Sequence, residues 1–265
     1  MSAPRLWADI PASGFHEIDP DRTIAVLPTA AVEQHGPHLP VGVDTHIAFG
    51  MVSALCARDA GALDVRILPV QAVGKSNEHL YAPGTLTLDA ATALAAWTQI
   101  GLSVARTGIR KLVIVNSHGG NLDLIHILAR ELRVQAGMLA VTCQWGAFGY
   151  PEGLYSEAEL THGLHGGDVE TSLMLALAPD TVVMQRAANF ATTATQTPVP
   201  PTGPIRYGWI ASDLNPDGVV GEAAKATAEK GRATIDHQVT GFMTLLRDVS
   251  VMAVPGTTAT EETSK

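Results

Sequence analysis

Three residues that commonly bind divalent metal ions lie close together near the start of the chain: Glu33, His35 and Asp44. Carboxylate oxygens and imidazole nitrogens are ligands that zinc, manganese and iron all accept. In an extended segment, side chains two residues apart point the same way, so Glu33 and His35 are expected to face one site. Taken alone, this segment fits either a metal site or a polar surface turn with an unrelated histidine.

A second candidate ligand is His118, which follows an apolar run at 112–115 and precedes a predicted helix. In open α/β sheets, ligands bind beyond the carboxyl ends of the strands. Gly119 and Gly120 allow backbone geometry that other residues avoid, and they leave room for a ligand. The alternative interpretation is a glycine-rich turn that contains a structural histidine.

A third motif, HGGDVETS, runs from His165 to Ser172 and places two acids at the start of an apolar helix. Asp168 is explained by the helix dipole, which favours acidic residues in a first turn. Glu170 becomes a candidate ligand if its face of the helix points inward. His162 is interpreted as a loop histidine.

The segment 74–85 follows a predicted strand and begins with Gly-Lys-Ser. A phosphate-binding loop requires a further glycine at position 69, where this chain has Pro69, so we exclude nucleotide binding here. Glu78 and His79 are interpreted as pocket-wall groups or as groups that support metal ligands. The sequence also lacks the paired-glycine dinucleotide motif and the G-x-S-x-G motif. A dehydrogenase, a serine hydrolase and a sugar- or nucleotide-binding module are therefore disfavoured.

Composition narrows the function classes further. The chain has 265 residues, of which 46% are hydrophobic and 16% charged, so one large α/β domain with a substantial core is expected. The net charge of −9 argues against nucleic-acid partners and anionic membranes. We expect no signal peptide and no membrane span. Two cysteines without metal-type spacing point to a reducing compartment, and we predict a cytoplasmic protein.

Apolar runs alternate with segments of helical length, which predicts a mostly parallel sheet with helices on both faces. The predicted strands are 23–27, 65–70, 111–116 and 138–144. The predicted helices are 47–60, 89–107, 121–136, 168–178 and 222–247. Residues 190–215 are interpreted as an ordered excursion or lid anchored by Tyr207 and Trp209. We predict one domain over 1–254 and a disordered polar tail over 255–265.

The candidate ligands form a set of two imidazoles and three carboxylates: Glu33, His35, Asp44, His118 and Glu170. Such a set fits two divalent ions with one carboxylate bridging them. Two ions about 3.5–4 Å apart hold a hydroxide between them and polarise a carbonyl group. That chemistry suits the hydrolysis of an unactivated amide.

The sequence resembles the creatininase family of metal-dependent amidohydrolases. The matching blocks stand in family order across nearly the whole chain: LPTAAVEQHGPHLPVGVDT at 27–45, SNEHLYAPGTLTL at 76–88, VNSHGGN at 115–121, HGGDVETS at 165–172 and NPDGVVGEAAKATAEKG at 215–231. The resemblance implies a three-layer α/β/α sandwich and a binuclear site for zinc, manganese or iron. It also implies a homo-oligomer, commonly a hexamer.

The resemblance assigns the candidate ligands to two ions. One ion is bound by Glu33, Asp44 and His118. The other is bound by His35, Asp44 and a glutamate, so that Asp44 is the bridge and also takes part in catalysis.

One position departs from creatininase proper, which has that glutamate two residues after the histidine matching His118. This chain has Gly120 there. A more diverse branch of the family has the glutamate in the later block, where Glu170 matches. That branch includes formamide hydrolases of flavin and deazaflavin biosynthesis and a peptidase of mycofactocin maturation. The metal site is therefore expected to be complete, whereas creatinine is not expected as the substrate.

From these residues we predict an amidohydrolase that cleaves a C–N amide bond in a small cyclic or formylated amide through a metal-bridging hydroxide. Zinc is the first expectation, with manganese or iron as alternatives. His165 is predicted to pass a proton to the leaving nitrogen. Four residues are predicted to bind the substrate: Ser76, Glu78, His79 and Trp209. For Trp209 and Trp145, a core or interface role is the alternative. The competing functions are a metallopeptidase of the mycofactocin type and a non-catalytic metal-binding scaffold.

Overall fold

A five-stranded sheet forms the centre of the computed structural model, which describes residues 3–16 and 18–256. The strands are β1 (Arg5–Leu6), β2 (Thr23–Thr29), β3 (Asp64–Ile67), β4 (Lys111–Asn116) and β5 (Leu139–Gln144). They are ordered β1-β3-β2-β4-β5, and every neighbouring pair is parallel. A separate antiparallel pair joins β6 (Asn189–Phe190) to β7 (Gly221–Glu222).

Seven α-helices accompany the strands. They are α1 (Val43–Cys56), α2 (Ala90–Arg106), α3 (Leu122–Ala136), α4 (Glu157–His162), α5 (Asp168–Leu177), α6 (Ala211–Leu214) and α7 (Ala228–Val251). Short 3-10 turns at Gly119–Asn121 and Trp145–Phe148 follow β4 and β5. No helix within residues 3–16 and 18–256 combines the length and apolarity needed to cross a membrane.

The helices cover both faces of the sheet, which confirms the predicted three-layer α/β fold. Along β2, Ile24 and Val26 pack towards α1, α5 and α7, whereas Ala25 and Leu27 pack towards α2 and α3. Because both faces are covered, β2 and β4 are buried at every position and appear in the sequence as continuous apolar runs. Burying one such leucine or isoleucine contributes about 1.5–3 kcal/mol.

Several element boundaries differ from the sequence-based expectation. Strand β3 ends at Ile67 rather than at residue 70, since Pro69 has no N–H to donate. Helix α1 begins at Val43 rather than at residue 47, which places Asp44 in its first turn. Helix α7 begins six residues later than predicted, because the Thr227 side chain caps it by accepting the Lys230 N–H at 3.2 Å.

The predicted excursion and the predicted tail lie outside the core. The excursion 190–215 forms mainly short turns and α6, and part of it lies over a cavity at the carboxyl edge of the sheet. Of the predicted tail 255–265, residues 257–265 lie outside the described residues. The Pro255 carbonyl accepts a hydrogen bond of 2.5 Å from Arg133.

A half-buried ionic cluster joins β2 to β3 at the sheet. The Asp64 carboxylate accepts hydrogen bonds from Thr23 Oγ1 (2.9 Å) and Arg66 Nε (2.7 Å). Burial alone would raise the pKa of Asp64, but these hydrogen bonds and the Arg66 charge hold it below its ordinary value. A carboxyl group with a lowered folded pKa stabilises the protein above its unfolded pKa, and that contribution is lost as the pH falls through the folded value.

We therefore expect Asp64→Asn to destabilise the protein more at pH 7 than near pH 3. Carboxyl groups are ionised at pH 7 and become protonated at roughly pH 3–4. The free energy of unfolding, from urea denaturation at both pH values, measures this. The exposed Asp180 provides a matched control, since Asp180→Asn is expected to change little at either pH. An equal loss at both pH values for Asp64→Asn would contradict the argument.

Candidate metal centre

The carboxyl ends of the three central strands meet above the sheet and bring the candidate ligands together. Glu33 follows β2, His118 follows β4, and the segment 74–80 follows β3. Asn121 joins the three loops: its amide nitrogen donates to the Ala30 carbonyl (3.0 Å), and its amide oxygen accepts the Lys75 N–H (2.9 Å). The parallel topology therefore brings together loop residues that are up to 91 positions apart, from Ala30 to Asn121.

Glu33 lies at the centre of this cluster and is fully buried. Its Oε1 lies 3.3 Å from His118 Nδ1, 3.4 Å from His79 Nε2 and 3.5 Å from His165 Nδ1. One carboxylate thus faces three imidazoles, and all three belong to segments singled out in the sequence.

Backbone carbonyl groups fix the orientation of three imidazoles. His35 Nδ1 lies 3.0 Å from the Glu33 carbonyl, His118 Nε2 lies 3.0 Å from the Lys75 carbonyl, and His165 Nε2 lies 2.7 Å from the Gln34 carbonyl. Since a carbonyl only accepts, each of these nitrogens carries the proton. In the neutral form of each ring, the other nitrogen therefore presents a lone pair towards the carboxylates, as a metal ligand must.

Asp44 and Glu170 complete the set from two helices. Asp44 Oδ2 lies 3.6 Å from His118 Nδ1, and Glu170 Oε2 lies 3.6 Å from His35 Nε2. The Gly166 N–H donates to Glu170 Oε2 at 2.6 Å and holds the carboxylate in place. Among the described residues, four overlapping triads have donor atoms within 4.8 Å of one another: Glu33–His35–Asp44, His35–His165–Glu170, Glu33–His79–His165 and Glu33–Glu78–His118.

The side chains present fit divalent ions. Among the described residues, four buried atoms at this site have no hydrogen-bond partner: both carboxylate oxygens of Glu33, His35 Nε2 and Asp44 Oδ2. A buried charged group without a partner is costly, and metal coordination removes that cost. The same atoms belong to the predicted ligands, and the oxygen and nitrogen donor set suits zinc, manganese or iron.

The pKa shifts of the clustered side chains also favour a bound divalent cation. Burial would raise the pKa of Glu33, yet the neighbouring His118 holds it well below its ordinary value. Burial would lower the pKa of His118, and Glu33 raises it well above its ordinary value. For Asp44, burial and the Glu33 charge both raise the pKa. A divalent cation relieves this crowding of carboxylates and competes with protons for the same atoms.

The residues predicted to bind the substrate separate into different roles. The Gln34 amide nitrogen donates to His79 Nδ1 at 2.9 Å, so His79 Nε2 carries the proton and lies 3.4 Å from Glu33 Oε1 without forming a hydrogen bond to it. His79 therefore packs beside Glu33 and also lines the cavity. Ser76 is fully buried behind His118, 3.2 Å from its Nε2, and does not line the cavity. The structure thus places Ser76 as a support for His118 rather than as a substrate contact.

Gly120, the position that departs from creatininase proper, has no room for a side chain. A Cβ atom there would lie 2.6 Å from the Lys75 carbonyl oxygen, and closer still to Glu78 Oε1 and His118 Nε2. Glu78 Oε1 lies 3.4 Å from His118 Nε2 and fills this space. A glutamate therefore cannot occupy position 120 in this arrangement.

A cavity of about 430 Å³ opens onto the cluster. Its far wall is formed by residues 201–210 of the excursion, including Trp209, whose indole N–H donates to the Pro201 carbonyl at 2.8 Å. Arg206 fixes this wall to α3 through two hydrogen bonds of 2.7 Å to the Asp123 carboxylate. Trp209 and Glu78 therefore line the cavity, and their predicted contact with the substrate stays a prediction.

Sequence reasoning missed the residues that hold the ligands. Gln34 was passed over because it stands between two stronger candidates, although its position in the first block was a usable signal. Glu159 gave no signal at all: it is buried on α4 and accepts the backbone N–H groups of Val169 (3.2 Å) and Glu222 (2.7 Å). Asp168 is confirmed as structural, since it pairs with Lys230 at 2.5 Å.

The fold and the cluster together define a class: an α/β/α protein with a carboxylate and imidazole site for divalent ions at the carboxyl edge of its parallel sheet. The sequence model of the creatininase family, described as creatinine amidohydrolase, matches residues 8–246. The chain belongs to the creatininase family, and the predicted resemblance is confirmed.

Relatives within this family are hydrolases of different substrates. A mycofactocin precursor peptide peptidase from Mycobacterium ulcerans (strain Agy99) is 33% identical over 221 residues, which cover 81% of this chain and 80% of that protein. A creatinine amidohydrolase from Pseudomonas putida is 32% identical over 243 residues, which cover 85% of this chain and 89% of that protein. The family therefore identifies a hydrolase but leaves its substrate open.

Solved creatininase structures share the fold. A crystal structure of creatinine amidohydrolase (creatininase) superposes with a TM-score of 0.72 at 27% identity, covering 95% of this chain and 100% of that chain. A mutant creatininase described as the Zn-Zn type gives a TM-score of 0.74 at 28% identity over 95% and 100%. A chain described as Creatininase Mn gives 0.73 at 24% identity, over 94% and 100%, and bears on the fold alone.

Proposed function

We propose that this protein is a binuclear metal-dependent amidohydrolase that cleaves the C–N bond of a small cyclic or formylated amide. The observation that carries the proposal is the set of buried donor atoms without partners at Glu33, His35 and Asp44. In this proposal, Glu33, Asp44 and His118 hold one ion. His35, Asp44 and Glu170 hold the other, and Asp44 bridges the two.

Two divalent ions held there would supply an activated water molecule and a Lewis acid for the carbonyl group. The chain's own residues orient the side chains of the cluster and position the substrate. Gln34 orients the His79 ring beside Glu33, and the Lys75 carbonyl holds the His118 ring. Trp209 and Glu78 line the cavity and position the amide over the cluster. At about 430 Å³, the cavity lies within the range of small-molecule sites.

His165 is proposed to carry the proton to the leaving nitrogen through its Nδ1 atom. Its Nε2 proton is committed to the Gln34 carbonyl, so Nδ1 is the atom that faces the cluster. The geometry also supports a second role, because His165 forms a triad with His35 and Glu170 in which it would be a ligand. Counting bound ions in His165→Ala separates the two: a proton carrier leaves the metal content unchanged, whereas a ligand reduces it.

Peptide cleavage is the second candidate function, favoured by the 33% identity to a mycofactocin precursor peptide peptidase. The two functions differ in the length of the substrate that must enter the cavity. Assays on formylated and cyclic small amides, run beside assays on short peptides with the same metal-loaded protein, distinguish them. Zinc as the native metal, a homo-oligomeric assembly and a cytoplasmic location remain predictions.

The decisive test is metal content per chain, by elemental analysis, for the wild type and for Glu170→Gln. We expect about two ions in the wild type and about one in the variant, with amide hydrolysis reduced at least ~100-fold, since losing even a group that supports a ligand costs about 10- to 100-fold. The matched control is Glu152→Gln, because Glu152 is exposed and distant in sequence from every ligand. If the wild type binds neither zinc nor manganese when these are added, the hydrolase proposal is wrong, and the protein has the fold of the family without its metal chemistry.

A further inference from the structure

Glu159 on α4 carries a carboxylate that is outside the set of candidate metal ligands and is nevertheless almost fully buried. Only 2% of the residue is exposed. Across residues 3–16 and 18–256, no basic side chain forms an ion pair with it, and Lys230 is paired with Asp168 instead. Burying a charge without a counter-ion is costly, so the hydrogen bonds of this carboxylate must offset that cost.

Two backbone N–H groups take the place of the counter-ion. The Val169 N–H donates to Glu159 Oε1 at 3.2 Å, and the Glu222 N–H donates to Glu159 Oε2 at 2.7 Å. Hydrogen bonds to a charged acceptor are roughly twice as strong as those between neutral groups. The two oxygens of one carboxylate therefore join the first turn of α5 to β7.

Glycines leave the space that this carboxylate occupies. A Cβ atom on Gly221 would lie 2.8 Å from Glu159 Oε2, one on Gly163 would lie 2.5 Å from Oε1, and one on Gly167 would lie closer still. The φ angles of Gly163 and Gly167 are −77° and −80°, which other residues adopt readily. The backbone therefore does not require glycine at these two positions, whereas the Glu159 carboxylate does.

One of the two anchored segments presents a candidate metal ligand. Val169, whose N–H Glu159 accepts, directly precedes Glu170 in the first turn of α5. Glu170 Oε2 in turn accepts the Gly166 N–H at 2.6 Å. The position of the Glu170 carboxylate therefore depends on where the first turn of α5 is held.

The other anchored segment flanks His165. Val220, two residues before Glu222, exchanges two backbone hydrogen bonds with His165. The Val220 N–H donates to the His165 carbonyl at 2.7 Å, and the His165 N–H donates to the Val220 carbonyl at 3.3 Å. Because Glu159 binds both segments, it sets the separation between the backbone of Glu170 and the strand beside His165.

We propose that Glu159 is a positioning residue, which holds the start of α5 against β7 so that Glu170 reaches the metal centre beside His165. The inference rests on the proposed function, in which Glu170 is a ligand of one ion. Glu159 does not line the cavity above the metal centre. It therefore acts through the backbone of α5 and β7 and not on the substrate.

Glu159→Gln tests this role with almost no change in the size of the side chain. The amide keeps one acceptor oxygen, but its NH₂ group only donates, so one of the two backbone N–H groups loses its partner. We expect the affinity for one of the two zinc ions to fall about 10- to 100-fold, the effect of losing a group that supports a ligand. The affinity for the other ion should stay unchanged.

Zinc affinities are measured by competition with chelators of known affinity. Glu157→Gln is the matched control, because Glu157 is exposed on the same helix, and it should bind both ions like the wild type. In the double variant Glu159→Gln/Glu170→Gln, the remaining ion should bind as tightly as in Glu170→Gln alone, since a ligand that has been removed cannot be misplaced. A residue that only contributes stability would not produce this selective and non-additive loss.

A second measurement needs no metal. Hydrogen exchange of the Gly166 N–H, in metal-stripped protein, reports whether Glu170 still accepts its hydrogen bond. We expect faster exchange in Glu159→Gln, as in Glu170→Gln, and wild-type exchange in Glu157→Gln. Exchange in β4 monitors global unfolding, so a change that is confined to the start of α5 excludes a general loss of stability.

Three results would overturn the proposal: wild-type affinity for both ions in Glu159→Gln, an equal loss for both ions, or unchanged exchange at Gly166. If Glu159→Gln does not fold, Glu159→Asp takes its place. It keeps the charge but is one methylene too short to reach both N–H groups, so the same selective loss is expected. A wild type that binds no zinc would refute the hydrolase, and the exchange at Gly166 would then decide the role of Glu159.

Discussion

Glu33→Gln is expected to weaken zinc binding at least ~100-fold and to reduce the rate of amide hydrolysis by at least the same factor. Removing a residue that only supports a ligand costs about 10- to 100-fold in metal affinity, and Glu33 is itself a candidate ligand. It is also the only carboxylate in the cluster that faces His79, His118 and His165 together. Its loss removes the charge that holds these imidazoles around a common point.

Zinc affinity, measured by competition with a chelator of known affinity, checks this prediction. Glu33→Asp is the matched control, since it keeps the charge but shortens the side chain, and an intermediate loss is expected. A Glu33→Gln protein that holds two ions with an affinity close to that of the wild type would remove Glu33 from the ligand set.

Gly120→Ala is expected to disrupt the site through sterics alone. The new methyl group would overlap Glu78, the His118 ring and the Lys75 carbonyl oxygen, which is part of the backbone and cannot rotate away. His118 must then leave its hydrogen bond to that carbonyl, and its Nδ1 atom moves away from Glu33 and Asp44. We expect a loss of zinc affinity of at least ~10-fold and a loss of stability of about 1–3 kcal/mol.

The adjacent glycine provides the control for this experiment. A Cβ atom on Gly119 meets no other atom within 4 Å, so Gly119→Ala should bind zinc like the wild type and lose at most about 0.5 kcal/mol of stability. Both variants change one glycine in the same turn by the same methyl group. Equal zinc affinity in the two proteins would show that the crowding around Gly120 does not hold His118 in place.

The sequence predicted the fold best where burial is complete. The predicted strand 111–116 coincides with β4, because a strand covered on both faces is a continuous apolar run between polar ends. Boundaries were less accurate where a single local interaction decides them. Helix α7 begins at Ala228 because Thr227 caps it, and several residues before it were equally compatible with a helical pattern.

By itself, the sequence determined the parallel α/β architecture, the family and the identity of the candidate ligands, because these depend on local patterns and on the chemical types of Glu33, His35, Asp44, His118 and Glu170. The tertiary structure alone decided which atoms of these residues face one another. Backbone carbonyls select the free nitrogen of each imidazole, and those that contact His118 and His165 come from distant loops. Glu78 closes the space above Gly120. The structure also brought Trp145 and Gln238, which are 93 positions apart, to the lining of one cavity. Proximity between residues so far apart leaves no periodic or local signature in a single sequence.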